Sequence, residues 1–124
     1  MPISKHPSAH THELPGARFT TLASPARGST RTSMWLVELA AGHPPTPHQL
    51  TAEELFFVIE GEARVRIGNE ACSVVTGDCI IVPPATPFSL EAVGAAPFKA
   101  VCCLPVGGEA RLEGGEAFVP PWAR

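Results

Sequence analysis

Hydrophobic positions along this chain fall in short runs rich in Val, Ile and Phe, and glycine or proline bounds most of them. No window sustains a helical apolar period over three turns, so the pattern predicts strands. Strands are expected near Arg18–Leu22, Ser33–Ala40, Thr46–Leu50, Glu54–Glu60, Ala63–Ile67, Ala71–Val75, Cys79–Val82, Phe88–Glu91 and Phe98–Leu104. Within one of them Ala63, Val65 and Ile67 alternate with Arg64 and Arg66, the pattern of a half-buried strand with one solvated face. Gly68-Asn69 sits between two such runs as a hairpin turn. Pro83-Pro84 stops its strand, because neither residue can donate to a ladder. Trp35 shares parity with Val37 and Leu39, which assigns it to the core or to a dimer interface. The fold class is all-β, a sandwich or barrel of antiparallel sheets.

The segments outside these runs read differently. Residues 1–12 are polar and proline-flanked, and are expected to form a mobile arm ahead of one domain over 13–124. His6, His10 and His12 lie in that arm and are assigned to a solvated tail in preference to a metal site. Gly107–Gly115 is expected to be a glycine-punctuated loop, and the apolar segment Phe118–Trp122 after it to pack back on the barrel. A length of 124 residues supports one core.

Nine Lys and Arg against twelve Asp and Glu give a net charge of −3, and no basic run occurs, so no nucleic-acid partner is expected. No apolar stretch has the length of a signal sequence or a membrane helix, which points to a cytoplasmic protein without membrane contact. There Cys72, Cys79, Cys102 and Cys103 would stay reduced. Their spacing matches no zinc pattern, and all four are expected to be buried thiols.

Two stretches carry candidate chemistry. The first runs Gly42, five residues, His48, Gln49, Leu50, three residues, Glu54, six residues, Gly61. The second runs Gly77, five residues, Pro83, Pro84, Ala85, two residues, Phe88. Together they resemble the two motifs of the cupin superfamily, G-x5-H-x-H-x3,4-E-x6-G and G-x5-P-x-G-x2-H-x3-N, here spanning 42–61 and 77–92. The resemblance implies a jelly-roll barrel of two antiparallel sheets with a pocket between them. It also implies a homodimer, a pairing that in cupins often exchanges an N-terminal strand.

The metal ligands of such proteins correspond here to His48, Leu50, Glu54 and Phe88. Leu50 and Phe88 offer no lone pair, and Ala85 and Ala92 stand at the second motif's Gly and Asn positions. No cofactor is therefore expected. A divalent transition metal on His48 and Glu54 would need a third ligand from His43 or Cys79.

The expected pocket is lined by Leu50, Phe56, Val58, Cys79, Ile81 and Phe88, and suits a small, partly apolar molecule. The simpler alternative is that these side chains fill the barrel and no ligand binds. His48 and Glu54 are either a hydrogen-bonded pair satisfying one another or an acid–base pair. The latter would make the protein a metal-independent isomerase, epimerase or lyase. A metalloenzyme with a rebuilt ligand set is a third reading.

Overall fold

A computed structural model describes residues 3–5 and 7–124, with Ser8 described in its backbone alone. Eleven strands make two antiparallel sheets, and the only helical elements among the described residues are three short 3-10 turns. The strands are β1 (Thr11–Leu14), β2 (Ala17–Ala23), β3 (Thr32–Leu39), β4 (His48–Leu50), β5 (Glu54–Glu60) and β6 (Glu62–Ile67). They continue with β7 (Glu70–Val75), β8 (Cys79–Val82), β9 (Phe88–Ala92), β10 (Phe98–Pro105) and β11 (Ala110–Leu112). The six-stranded sheet is ordered β1-β2-β3-β10-β5-β8 and the five-stranded sheet β11-β4-β9-β6-β7. No helix among the described residues is long and apolar enough to cross a membrane.

Alternation along each strand decides what lies between the sheets. In β3, Ser33, Trp35, Val37 and Leu39 are buried, and in β10, Phe98, Ala100, Cys102 and Leu104. β5 contributes Glu54, Phe56 and Val58, and β6 contributes Ala63 and Val65 from the opposite sheet. Arg64 and Arg66 point to solvent. The core thus forms where the inner faces of the two sheets meet, the arrangement of a jelly roll.

Gly61 turns β5 into β6 at φ 84, and a Cβ there would come within 2.4 Å of the Pro97 carbonyl oxygen. Only glycine meets both conditions. The β6–β7 hairpin closes through Gly68 at φ 58, with Ile67 paired to Glu70 across the two-residue turn.

Two strands arise where the hydrophobic pattern predicts none. Thr11 and His12, placed by sequence in the arm, belong to β1, which pairs with β2 from Thr11↔Thr20 to Leu14↔Ala17. The His10 carbonyl accepts the Thr21 amide at 2.9 Å, and Arg27 donates to the His10 ring. β1 is an edge strand with largely exposed side chains, held by its ladder and not by burial, so it leaves no apolar signature. His6 lies outside the described residues.

The Gly107–Gly115 segment contains β11, which pairs with β4 (Ala110↔Leu50, Leu112↔His48) and bridges Ala110 to Phe118. Beyond it the chain returns across the first sheet. Trp122 stacks on Phe19 with ring centroids 3.7 Å apart, and His12 meets the indole edge-on at 6.4 Å. The Thr21 hydroxyl donates to the Trp122 carbonyl at 2.7 Å, and the buried Ser33 hydroxyl to the Ala123 carbonyl at 2.8 Å.

Candidate functional site

His48 opens β4 in the five-stranded sheet, and Glu54 opens β5 in the other. Thr51, Ala52 and Glu53, between the two strands, carry the chain from one sheet to the next, so the two side chains approach the interior from opposite walls. His48 is paired in register with Phe88 of β9, and their rings sit 4.3 Å apart at 49°. Phe88 in turn meets Phe56 edge-on at 5.8 Å, and Phe56 lies two residues along β5 from Glu54, on the same face. Val82 stands opposite Glu54 in the neighbouring strand. Aromatic contacts thus run from His48 on one wall through Phe88 to Phe56, which shares the inner face of β5 with Glu54, on the other.

The two polar groups do not pair. The His48 Nδ1 lies 3.0 Å from the Thr46 carbonyl oxygen, which fixes Nδ1–H as the donor and leaves Nε2 as the acceptor of a neutral ring. Glu54 is 4% exposed, and its Oε1 has no hydrogen-bond partner. The hydrogen-bonded pair anticipated from sequence is therefore absent.

Desolvation acts on both groups in the direction that removes charge. It lowers the His48 pKa, against a smaller upward pull from the Thr46 hydrogen bond. It pushes the Glu54 carboxyl up to about 8. Near neutral pH the site holds a neutral imidazole and a protonated carboxylic acid. Cys102, fully buried on β10, has its thiol pushed well up by burial first and by Glu54 second, so it is inert as a nucleophile.

Of the residues assigned to the pocket lining, Leu50, Phe56, Val58 and Phe88 are buried between the sheets. Cys79 and Ile81 are not. Both are exposed on the outer surface of β8, Ile81 at 58%, while Ile80 and Val82 face inward against Phe56 and Glu54. The sequence CIIV is apolar at nearly every position and gives no alternation from which to choose the inner face. The expectation of four buried thiols fails in the same way: only Cys102 is buried, Cys103 is half-buried, and Cys72 and Cys79 are exposed.

His43 also lies elsewhere. Its ring packs over Gly16, at the end of the first sheet where Ala17 meets Leu39. Glu38, Lys99 and Glu60 line up at that end, whereas Glu54 begins β5 at the other, six residues or roughly 20 Å away. His43 therefore does not join His48 and Glu54 as a third ligand, and exposed Cys79 does not either. Among the described residues, no group of three or more His, Cys, Asp or Glu is placed to hold a metal ion. With Leu50 and Phe88 at the other two positions, the residues present do not fit the metal that the fold family implies.

Comparison with known proteins agrees with the fold. Residues 35–104, more than half of the chain, match the family model described as a cupin domain. An uncharacterized protein of Methanocaldococcus jannaschii is 40% identical over 53 residues, a match covering 43% of this chain and 42% of that relative's length. The polyketide cyclase RemF of Streptomyces resistomycificus superposes with a TM-score of 0.78 at 16% identity, over 90% of this chain and 85% of that one. KdgF of Halomonas sp. gives 0.67 at 18% identity, over 77% and 85%. A salicylate 1,2-dioxygenase of Pseudaminobacter salicylatoxidans gives 0.70 at 21%, over 83% of this chain but only 32% of that one. At such identities the structural likeness establishes the fold and nothing finer. With both motifs, both sheets and the family match in place, the chain belongs to the cupin family.

Proposed function

We propose that this protein binds a small, uncharged, partly apolar molecule between its sheets, oriented by His48 and Glu54 and packed against Phe88 and Phe56. The observation that carries this reading is the Glu54 carboxyl, deeply buried with an unpartnered oxygen. Such an atom costs about 1–3 kcal/mol, and a ligand's hydrogen bond would offset it. Because neither group is charged near neutral pH, the site favours a carbonyl, amide or phenol over a carboxylate or a cation. The aromatic contacts from His48 through Phe88 to Phe56 supply the apolar part.

Titration of a panel of small aromatic carbonyl compounds, followed by the His48 and Phe88 ring resonances, tests the proposal. Binding should shift both rings, and Glu54→Leu should weaken it about tenfold, the worth of one hydrogen bond. Ligands that move neither ring, or that bind the variant equally well, would contradict the proposal.

The protonation states favour one second reading. A neutral imidazole and a protonated carboxyl are the forms that a general base and a general acid need, as an isomerase, epimerase or lyase would use them. Activity would then rise as His48 loses its proton below its ordinary value and fall as Glu54 ionises near 8. A rate that is flat with pH across that interval would rule it out.

A further inference from the structure

Positive charge gathers in the first part of this acidic chain. Residues 1–34 hold Lys5, Arg18, Arg27 and Arg31 against a single acid, Glu13. Glu13 is already paired, its carboxylate 3.0 Å from Arg18. Arg27 forms no ion pair among the described residues. An exposed arginine needs no counter-ion, but Arg27 is half-buried, and its Nε is buried without a hydrogen-bond partner. Its side chain donates through Nη1 to the His10 Nε2, and that ring supplies an acceptor but no negative charge. The opposite edge of the guanidinium, Nε with Nη2, is the fork that takes a carboxylate or phosphate side-on.

The surroundings of that edge also lack partners. Four buried side-chain atoms among the described residues make no hydrogen bond; Glu54 supplies one, and the others are Arg27 Nε, Ser24 Oγ and Ser4 Oγ. Ser24 is 1% exposed and caps the Pro25–Arg27 turn, yet its hydroxyl makes no capping bond. The Arg27 amide donates instead to the Ser24 carbonyl at 2.8 Å, closing a tight turn with these two residues at its ends. Residues three apart eclipse in 3-10 geometry, so the hydroxyl and the guanidinium leave the turn on one side. Ser4 belongs to the arm before β1, which His10 ties to this turn.

A buried water would satisfy Ser24, but it would not balance the charge. We propose that the seam between this arm and the β2–β3 turn is a binding site for a small oxyanion, a phosphate or carboxylate group. The Nε–Nη2 edge of Arg27 and the Ser24 hydroxyl hold it. Both are donors, so they meet oxygens with N–H and O–H while the guanidinium supplies the opposite charge. His10 is a positioning residue, fixing the guanidinium through Nη1. The site is separate from the interior one. β2 lies three strands from β5, roughly 14 Å at about 4.8 Å a strand.

Titration with inorganic phosphate and, separately, sodium acetate tests the proposal, at constant ionic strength and with chloride as the control anion. The Arg27 Nε–H and His10 ring resonances report binding. At least one oxyanion should shift them saturably, and the one bound more tightly identifies the head group. Ser24→Ala should weaken that binding about fivefold, the worth of one hydrogen bond. Arg27→Lys, which keeps the charge but loses the fork, should weaken it about tenfold. Arg27→Gln should abolish it, read at His10, while Arg66→Gln on the solvated face of β6 should bind as the wild type does. Arg27→Gln removes a half-buried cation that has no counter-charge, so its far-UV spectrum should be unchanged. A wild type that responds to neither oxyanion, or equally to chloride, overturns the proposal whichever variants fold. So does a folded Arg27→Gln or Ser24→Ala that binds as tightly as the wild type.

Discussion

Glu54 is where the sequence says most and the structure adds most. The motif spacing singles out this residue, and strand parity turns it inward, as found. What spacing cannot convey is the partner. His48 spends its Nδ1 on the carbonyl of Thr46, two residues back, a local bond that removes it from Glu54. The carboxyl is left buried with an unpartnered oxygen, and desolvation raises its pKa to about 8, above the ordinary carboxylate value. Below about pH 4.5 both the folded and the unfolded chain hold this proton. Between there and about 8 the unfolded chain releases it and the folded one keeps it, so stability falls as pH rises, by about 1.4 kcal/mol per unit. Above 8 the loss levels off. Glu54→Gln removes the titration, so chemical denaturation should find the variant gaining on the wild type by about 3 kcal/mol between pH 5 and pH 8. A constant difference across that range would show that the carboxyl is ionised in the folded protein.

At the scale of elements, strands that bury one face were legible, as was β7, whose apolar residues mark it although none is buried, whereas β1 and β11 were not. β5 and β8 fall at the expected bounds, and β3 and β10 within one residue of them, because each has an apolar side pressed on the core. β1 and β11 are edge strands whose largely exposed side chains follow no apolar period. β8 was found but turned the wrong way, for want of any polar residue to mark its outer face. The connection from β8 to β9 shows a further consequence of drift in the second motif. Ala85 occupies the position where the cupin pattern has glycine, and it keeps the left-handed backbone, φ 55, alone among the described non-glycine residues. Its amide donates to the Leu50 carbonyl at 2.7 Å, which ties this turn to β4 and holds the strained conformation in place. Ala85→Gly should therefore stabilise the fold by about 0.5–1 kcal/mol, the relief of strain less the entropy of a freer chain, as measured by urea unfolding. A destabilised variant would mean that the methyl group contributes more than its backbone strain costs.

For the whole molecule, both motifs and the all-β pattern sufficed for the fold, because in this family the turn glycines and the strand alternation act on the same backbone. The interior chemistry was less legible. Two ligand positions hold hydrocarbon, and whether other residues could replace them depended on where the fold carries two side chains outside those positions. His43 is one, held over Gly16 at the far end of the sheet; Cys79 is the other, outside it. The facing of β8 places Cys79, and the β3–β4 connection places His43. What remains between the sheets is an imidazole, a carboxylic acid and two phenylalanine rings, chemistry suited to an uncharged organic molecule. The most direct test is the metal content of the untagged protein, measured by elemental analysis before and after chelator treatment. We expect far less than one transition-metal ion per chain, with no change in folding on chelation. Near-stoichiometric iron, zinc, nickel or manganese, lost together with His48 in His48→Ala, would contradict the account of an uncharged, metal-free site.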